Sequence, residues 1–390
     1  MAVVPDSPAR APEGQSDRPA SEEDNRQLGA VASTDAFFRA ASANLSVRPD
    51  TTERDISADL LKRHYGLEGT ITTLSSEVER TVEVTLPTSC RLILKTSTRP
   101  EAVDSFRFQS AAMARLHAKA NVVVPRVIPT RGGALMFKED RVCGYLQTRI
   151  DGTPLHQAVP APEQLFQTGN ALARLDQALE KTELPSAHRP VLWNIRCWPR
   201  LMELAQNLPS GSIADNVRAA MAEYVSSVEP YIAGLDWQVT HNDPSPHNMI
   251  VTDQDLGFID FGDGGWNPRI QDLAVAASHH VTDPALPLGG AEQLIAGYAS
   301  VLPLSALEAR VLTGLMKARQ SALILVNYWR ARLFPAEADY IKKNVARAER
   351  GLSILAPLDS PSGEAAVLTA LALPQPDDPG GLTHQTGSRT

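Results

Sequence analysis

Apolar positions along the chain change their period twice. "SADLLKRHY" (Ser57 to Tyr65) carries them at helical spacing and stops before Gly66, whereas "TVEVTL" (Thr81 to Leu86) alternates with period two. "RLILKTS" (Arg91 to Ser97) follows after "PTSC", so the pair predicts a β-hairpin. Next come a predicted helix over Ala102 to Lys119, the segment "NVVVPRVIP", and a strand pair from "GALMFKED" to "RVCGYLQTRI". "DGTP" (Asp151 to Pro154) is turn chemistry and marks a boundary. Beyond it the spacing is mostly helical. "PEQLFQTGNALARLDQALEK" places Leu165, Gly169, Leu172, Leu175 and Leu179 on one face, and a long helix is predicted from Ala306 toward Arg332. Only "WQVTHND", "NMIVTD" and "LGFIDFG" read as strands there.

This pattern predicts an α+β chain in which a small sheet-bearing lobe precedes a helical one. We place the first lobe at 35–150 and the second at 151–358. Residues 1–34 and 359–390 are expected to be tails: "MAVVPDSPARAPEGQSDRPASEEDNRQ" and "PQPDDPGGLTHQTGSRT" are rich in Pro, Ser, Gly and charge and poor in large apolar groups. No repeat of solenoid period occurs. With 390 residues, 43% of them hydrophobic, the chain has ample material for a core.

Charge and cysteine usage narrow the function. A net charge of −8 disfavours a general nucleic-acid or anionic-membrane surface. Cys90, Cys143 and Cys197 are odd in number, widely spaced and without CxxC or Cys/His pattern, which suits buried thiols in a reducing compartment. The N-terminus lacks an apolar core of signal-peptide length, and no window offers an uncharged span of ~18 apolar residues. A cytoplasmic protein that inserts in no membrane is the expectation.

The chemistry concentrates in "VTHNDPSPHNMIVTDQDLGFIDFGDGGW" (Val239 to Trp266). A short strand at Met249 to Val251, a turn at Asp253 to Asp255 and a strand ending near Ile259 would return Asp260 to the end that holds Asp243 and Asn248. Two carboxylates and a carboxamide oxygen would converge. Mg²⁺ in phosphoryl-transfer sites takes one or two carboxylates plus nucleotide phosphates, a role that suits Asn248 and Asp260. Asp243 is then free to accept a hydrogen bond from an attacking hydroxyl.

The run "HNDPSPHN" followed by "IDFGD" resembles the aminoglycoside phosphotransferase family and its choline-kinase and homoserine-kinase relatives. The resemblance implies a two-lobed protein-kinase-like fold with an antiparallel N-lobe sheet and a helical C-lobe. It makes His241 the catalytic-loop histidine, Asp243 the catalytic aspartate, and Asn248 and Asp260 the metal-binding pair. Asn242 stands where the family usually has glycine. Lys95 in "LILK" resembles the strand lysine that meets nucleotide phosphates, and Gln109 falls where its partner glutamate is usual. "LSSEVERT" (Leu74 to Thr81) takes the place of a glycine-rich nucleotide loop without any glycine, leaving backbone N–H groups and the hydroxyls of Ser75 and Ser76. Asp272 in "QDLAVAA" resembles an aspartate that bonds the catalytic loop's backbone, with helix capping as its other reading. Asp263 is open between metal, substrate amine and turn. His279, His280 and His247 read as packing or loop residues.

"ALARLDQALEK", "VLWNI" and "KARQSALILVNYWRARLFPAEADYI" resemble the hydroxylysine kinase subgroup, over roughly Ile56 to Leu355. The expected reaction is transfer of the γ-phosphate of GTP or ATP, with Mg²⁺, to a hydroxyl of a small amine or amino acid. The subgroup brings Trp193, Asn194, Arg319, Tyr328 and Arg330 toward the acceptor, where core packing is the other reading for the aromatics. Lys317, Arg319, Arg330 and Arg332 on one late helix favour an anionic group on that acceptor. Alternatives are an aminoglycoside or other antibiotic phosphotransferase and a non-catalytic nucleotide-binding protein, the latter prompted by Gln109 and the glycine-free loop. No Ala-Pro-Glu segment follows Asp260, which argues against a protein kinase.

Overall fold

In the computed structural model, which describes residues 22–47, 56–76, 78–119, 121–158, 161–253 and 255–375 (22–33 as backbone), helices α1 (Glu22–Leu45) and α2 (Ser57–Tyr65) precede an antiparallel sheet. Its strands are β1 (Thr70–Leu74), β2 (Arg80–Thr85) and β3 (Arg91–Ser97), then, after helix α3 (Ala102–His117), β4 (Val127–Ile128), β5 (Phe137–Glu139) and β6 (Val142–Thr148). The order is β1-β2-β3-β6-β4, with β5 also on β6. The predicted hairpin is β2-β3, with Thr81 opposite Lys95 and Val84 opposite Leu92. Because side chains alternate faces, Val82, Val84, Leu92 and Leu94 pack with Leu60 and Leu61 of α2 on one side. Lys95 is thereby sent to the other side, toward α3. β1 escaped the sequence reading because "TITTL" is largely exposed and has no apolar alternation.

The second lobe begins with β7 (Thr153–Pro154) and α4 (Pro162–Leu179), followed by a 3-10 stretch (Ile195–Asn207) and α5 (Ser212–Ser227). Four short strands carry the polar segment: β8 (Trp237–Thr240), β9 (Met249–Val251), β10 (Leu256–Phe258) and β11 (Gly265–Pro268). β9 and β10 form the predicted hairpin, and β11 closes on β8 with Gly265 opposite Thr240. The remainder is helical: α6 (Ile270–His279), α7 (Glu292–Ala299), α8 (Ala306–Leu333), α9 (Ala338–Ile341), α10 (Val345–Leu355) and α11 (Ser360–Leu371). Gly169 of α4 and Gly297 of α7 let these helices meet backbone to backbone, since a Cβ on either would strike a carbonyl of the other helix. α8 is the spine, opened by a capping box between Ser305 and Glu308 and buried through most of its length.

Both expected tails contain helix. α1 runs through 22–34, and beyond it Phe38 and Ala41 are buried; Arg200 of the 3-10 stretch pairs with Asp35. α11 occupies 360–371 of the expected C-terminal tail: Asp359 caps it by accepting from the Ser362 N–H at 2.9 Å, and Val367 and Ala370 bury against the core. In α11 the buried Val367 and Ala370 lie three residues apart, within a segment, "SPSGEAAVLTAL", that is itself apolar. Residues 1–21 and 376–390 lie outside the described residues.

Candidate active site

Asp243, Asn248 and Asp260 are brought together by the β9-β10 hairpin, as the spacing predicts, and all three line a cleft of about 940 Å³ between the lobes. The loop entering it is tied down from behind. Asp272, in the first turn of α6, accepts from the backbone N–H of His241 at 2.7 Å and of Asn242 at 2.6 Å. Its side chain serves the loop, the first of the two sequence readings. Asp176, fully buried behind it, is held well above the carboxylate range by burial and by the charge of Asp272, and accepts from Tyr298 OH at 2.7 Å.

Asn242 has φ +64°, the left-handed region, which asparagine tolerates better than most non-glycine residues. Its side chain fixes that turn, donating to the Asp263 carbonyl at 2.9 Å and accepting from Gln271 at 2.5 Å. His241 is fully buried, bonds the Ile259 carbonyl at 3.0 Å through Nε2, and packs on Phe261. It braces the loop and does not line the cleft.

Asp243 presents both oxygens to neighbours. Oδ2 accepts from Asn248 Nδ2 at 2.7 Å and Oδ1 from Arg319 Nη2 at 2.8 Å. With the Asn248 nitrogen so committed, its carboxamide oxygen is the donor left for a cation. Asp260, at φ +62°, bonds Lys95 Nζ at 2.9 Å. The nearby Lys95 charge holds the Asp260 carboxyl below its ordinary range, against the burial that opposes this. Asp263 is pushed up to about 7 by burial and by the Asp243 and Asp260 carboxylates beside it.

Lys95 is 7% exposed. Burial alone would depress it, but the Asp260 and Glu79 carboxylates outweigh burial and hold it well above the ordinary lysine value. Gln109, where a glutamate was expected, lies 3.5 Å from Lys95 Nζ. Glu79 supplies the charge instead: its Oε2 is 3.3 Å from Lys95 Nζ, and its Oε1 accepts from Gln109 Nε2 at 2.9 Å. Gln109 is itself locked by Tyr145 OH and Ser105 Oγ, at 2.8 and 2.9 Å.

Residues 70–304 match the phosphotransferase enzyme family, well over half of the chain. The chain belongs to that family. Among characterised relatives, the hydroxylysine kinase of Danio rerio is 23% identical over 329 residues, covering 79% of this chain and 92% of that protein. Solved structures of the same fold include a microcompartment-associated aminopropanol kinase (TM-score 0.61, 19% identity, 79% of this chain and 98% of that one). Another is an amicoumacin kinase in complex with AMP-PNP, Ca²⁺ and its antibiotic (TM-score 0.58, 14% identity, 79% and 96%). The protein is therefore a small-molecule phosphotransferase of protein-kinase-like fold.

Among the described residues of this phosphotransferase, no cluster of three or more His, Cys, Asp or Glu side chains could hold a metal on its own. One carboxylate and one carboxamide at the cleft do fit a cation that takes most of its oxygen ligands from phosphates and water. Ser75 and Ser76 border the cleft, with Ser75 Oγ bonded to Tyr340 OH at 3.2 Å.

The acceptor side departs from expectation in part. Trp193 lines the cleft, and the Arg319 guanidinium lies over its ring at 4.5 Å. Arg330 also borders the cleft and is 2% exposed. Asn194 does not: its carboxamide accepts from Arg196 N–H at 3.0 Å and donates to the Trp266 carbonyl at 3.1 Å, capping the 3-10 stretch. Tyr328 faces away, with its hydroxyl on Glu349 at 3.1 Å. Lys317 is spent on Glu223 at 2.6 Å and on the Leu358 carbonyl. His279, taken from the sequence for a packing residue, borders the cleft near Arg319. The sequence reading missed Glu79, an ordinary loop acid by pattern.

Proposed function

We propose that this phosphotransferase is a cytoplasmic kinase that transfers the γ-phosphate of GTP or ATP to a hydroxyl of a small carboxylate-bearing amine, 5-hydroxylysine being the leading acceptor. The observation that carries this reading is Arg319: a buried guanidinium over the Trp193 ring, 2.8 Å from the catalytic-loop aspartate and bordering the cleft. A buried arginine fork matches a carboxylate and repels a polycationic sugar. The hydroxylysine kinase relative, aligned over 92% of its length, supports the same acceptor class.

In this reading Asp243 accepts the proton of the acceptor hydroxyl while the acceptor oxygen bonds the γ-phosphorus; the bond from that phosphorus to the bridging oxygen breaks, and nucleoside diphosphate leaves. Lys95, steadied by Glu79, meets the donor's phosphates. Asn248 and Asp260 would hold Mg²⁺, which when bound neutralises charge on those phosphates. Asp260 would then exchange its bond with Lys95 for the cation. The complete set of Lys95, Glu79, Asp243, Asn248 and Asp260 speaks against a non-catalytic role. A panel of hydroxylated amino acids, amino alcohols and aminoglycosides with each nucleotide, read by mass gain of one phosphoryl group, tests the assignment. Phosphorylation confined to aminoglycosides overturns it.

A further inference from the structure

Asp243 meets the cleft with neither oxygen unengaged. Asn248 takes Oδ2 at 2.7 Å and Arg319 takes Oδ1 at 2.8 Å. A base so paired is a weak acceptor for an incoming hydroxyl, because the cation draws electron density and occupies the lone pair the hydroxyl needs. Something has to draw Arg319 away before transfer.

Arg319 is built to be drawn. It is 4% exposed, and of its five N–H donors only those on Nη2 are used; Nε and Nη1 are buried without a partner within the protein. Leaving such donors unpaired is costly, and Trp193 fixes the plane of the fork without satisfying it. Two neighbours share this condition. Arg347 bonds the Ser278 carbonyl at 3.3 Å through Nη1 while its Nη2 is buried and unpaired, and His279 Nε2 is likewise buried and unpaired. Burial and the nearby Arg319 push Arg347 down to about 10, and burial and the two guanidiniums hold His279 neutral, well below its ordinary value. Asp243 is the carboxylate that faces this cluster at bonding distance, and Asp263, which also feels the Arg319 charge, is only partly ionised near neutral pH because its carboxyl is pushed up to about 7. The unpaired donors on Arg319 and Arg347 leave room for one more anion.

Resting on the acceptor reading above, we propose that the acceptor's carboxylate binds the free edge of Arg319, with His279 beside it at the cleft and the charge of Arg347 behind, and that this transfer of Arg319 from Asp243 to the substrate releases the catalytic oxygen. The acceptor's anion is then a switch as well as an anchor. Without it the base stays capped, and the bound nucleotide is protected from attack by water.

The test uses nucleotide hydrolysis by the full chain with Mg²⁺, which requires no acceptor hydroxyl. Lysine and acetate, carboxylates without a hydroxyl, are each compared with a twin that lacks both carboxylate and hydroxyl: 1,5-diaminopentane and acetamide. The expected result is a several-fold rise in hydrolysis with at least one carboxylate and none with its twin. Arg319→Gln should hydrolyse at the raised rate unaided and respond to neither. Arg319→Lys, which keeps the charge without the fork, should respond weakly. Hydrolysis indifferent to every carboxylate in the wild type, or stimulated equally by both members of each pair, overturns the switch, and this comparison holds even where the variants fail to fold. Carboxylate-stimulated hydrolysis together with no phosphorylation of any hydroxy amino acid would instead discard the acceptor assignment and leave the switch standing.

Discussion

In the proposed mechanism Asp243 and Lys95 carry the chemistry, and each is defined by its neighbours more than by its own type. Asp243→Asn keeps the shape and the Asn248 contact but removes the proton acceptor. Turnover should fall roughly 10²–10⁴-fold, with nucleotide affinity retained in a calorimetric titration. Glu79→Gln removes one of two carboxylates from a buried ammonium. A charge-assisted bond worth about 1.5–3 kcal/mol implies roughly a ten- to hundredfold loss in kcat/KM for the nucleotide. Gln109→Glu in that background should restore much of it, because the charge returns to within reach of Nζ; steady-state kinetics on the pair checks this. Spacing expects Asp243, Asn248 and Asp260 together because they sit at fixed offsets around one hairpin, and the resemblance adds Lys95 at a strand end; all four line one cleft. Neither could identify Glu79, which reaches Lys95 only through the folding back of the β1-β2 loop over α3.

At the scale of elements, the start of α6 positions the catalytic loop. Asp272→Ala leaves the His241 and Asn242 N–H groups buried without an acceptor, at about 1–3 kcal/mol each. Lowered thermal stability and a kcat that falls further than KM rises are the expected outcomes, measurable by calorimetry and kinetics. Asp272→Asn should rescue part of both by accepting one of the two bonds. The strand and helix periods were legible where one face is the more buried, as in β2 and α4, and β3 was legible as a short apolar run buried on both faces. β1 was not, because most of its residues are exposed, and neither was α11, whose docking depends on Val367 and Ala370 within a stretch that composition marks as a tail. Asn194 and Tyr328 were misplaced for a different reason: the subgroup resemblance that brought them to the acceptor carries over a position along the chain, not the direction in which its side chain turns.

Over the whole molecule, two lobes share one cleft and a strongly basic wall meets a cluster of acids there, although the chain's net charge is −8. That wall has a cost in acid. His280 is depressed to about 4 by burial and by Arg347, whereas in the unfolded chain it titrates near ~6.5. Between these values the unfolded state binds the extra proton, so stability rises with pH from about 4 to about 6.5 and is lost on acidification through that window. His280→Gln should flatten that dependence in denaturant midpoints taken across the window. Among the described residues no helix is long and apolar enough to cross a membrane, and the proposal of a cytoplasmic enzyme rests on composition. The most direct measurement of the central claim is mass spectrometry of 5-hydroxylysine incubated with the enzyme, Mg²⁺ and GTP or ATP. Gain of one phosphoryl group with the wild type, and its near loss with Asp243→Asn, is the predicted result. An unmodified amino acid beside a phosphorylated aminoglycoside, or full activity in Asp243→Asn, would contradict it.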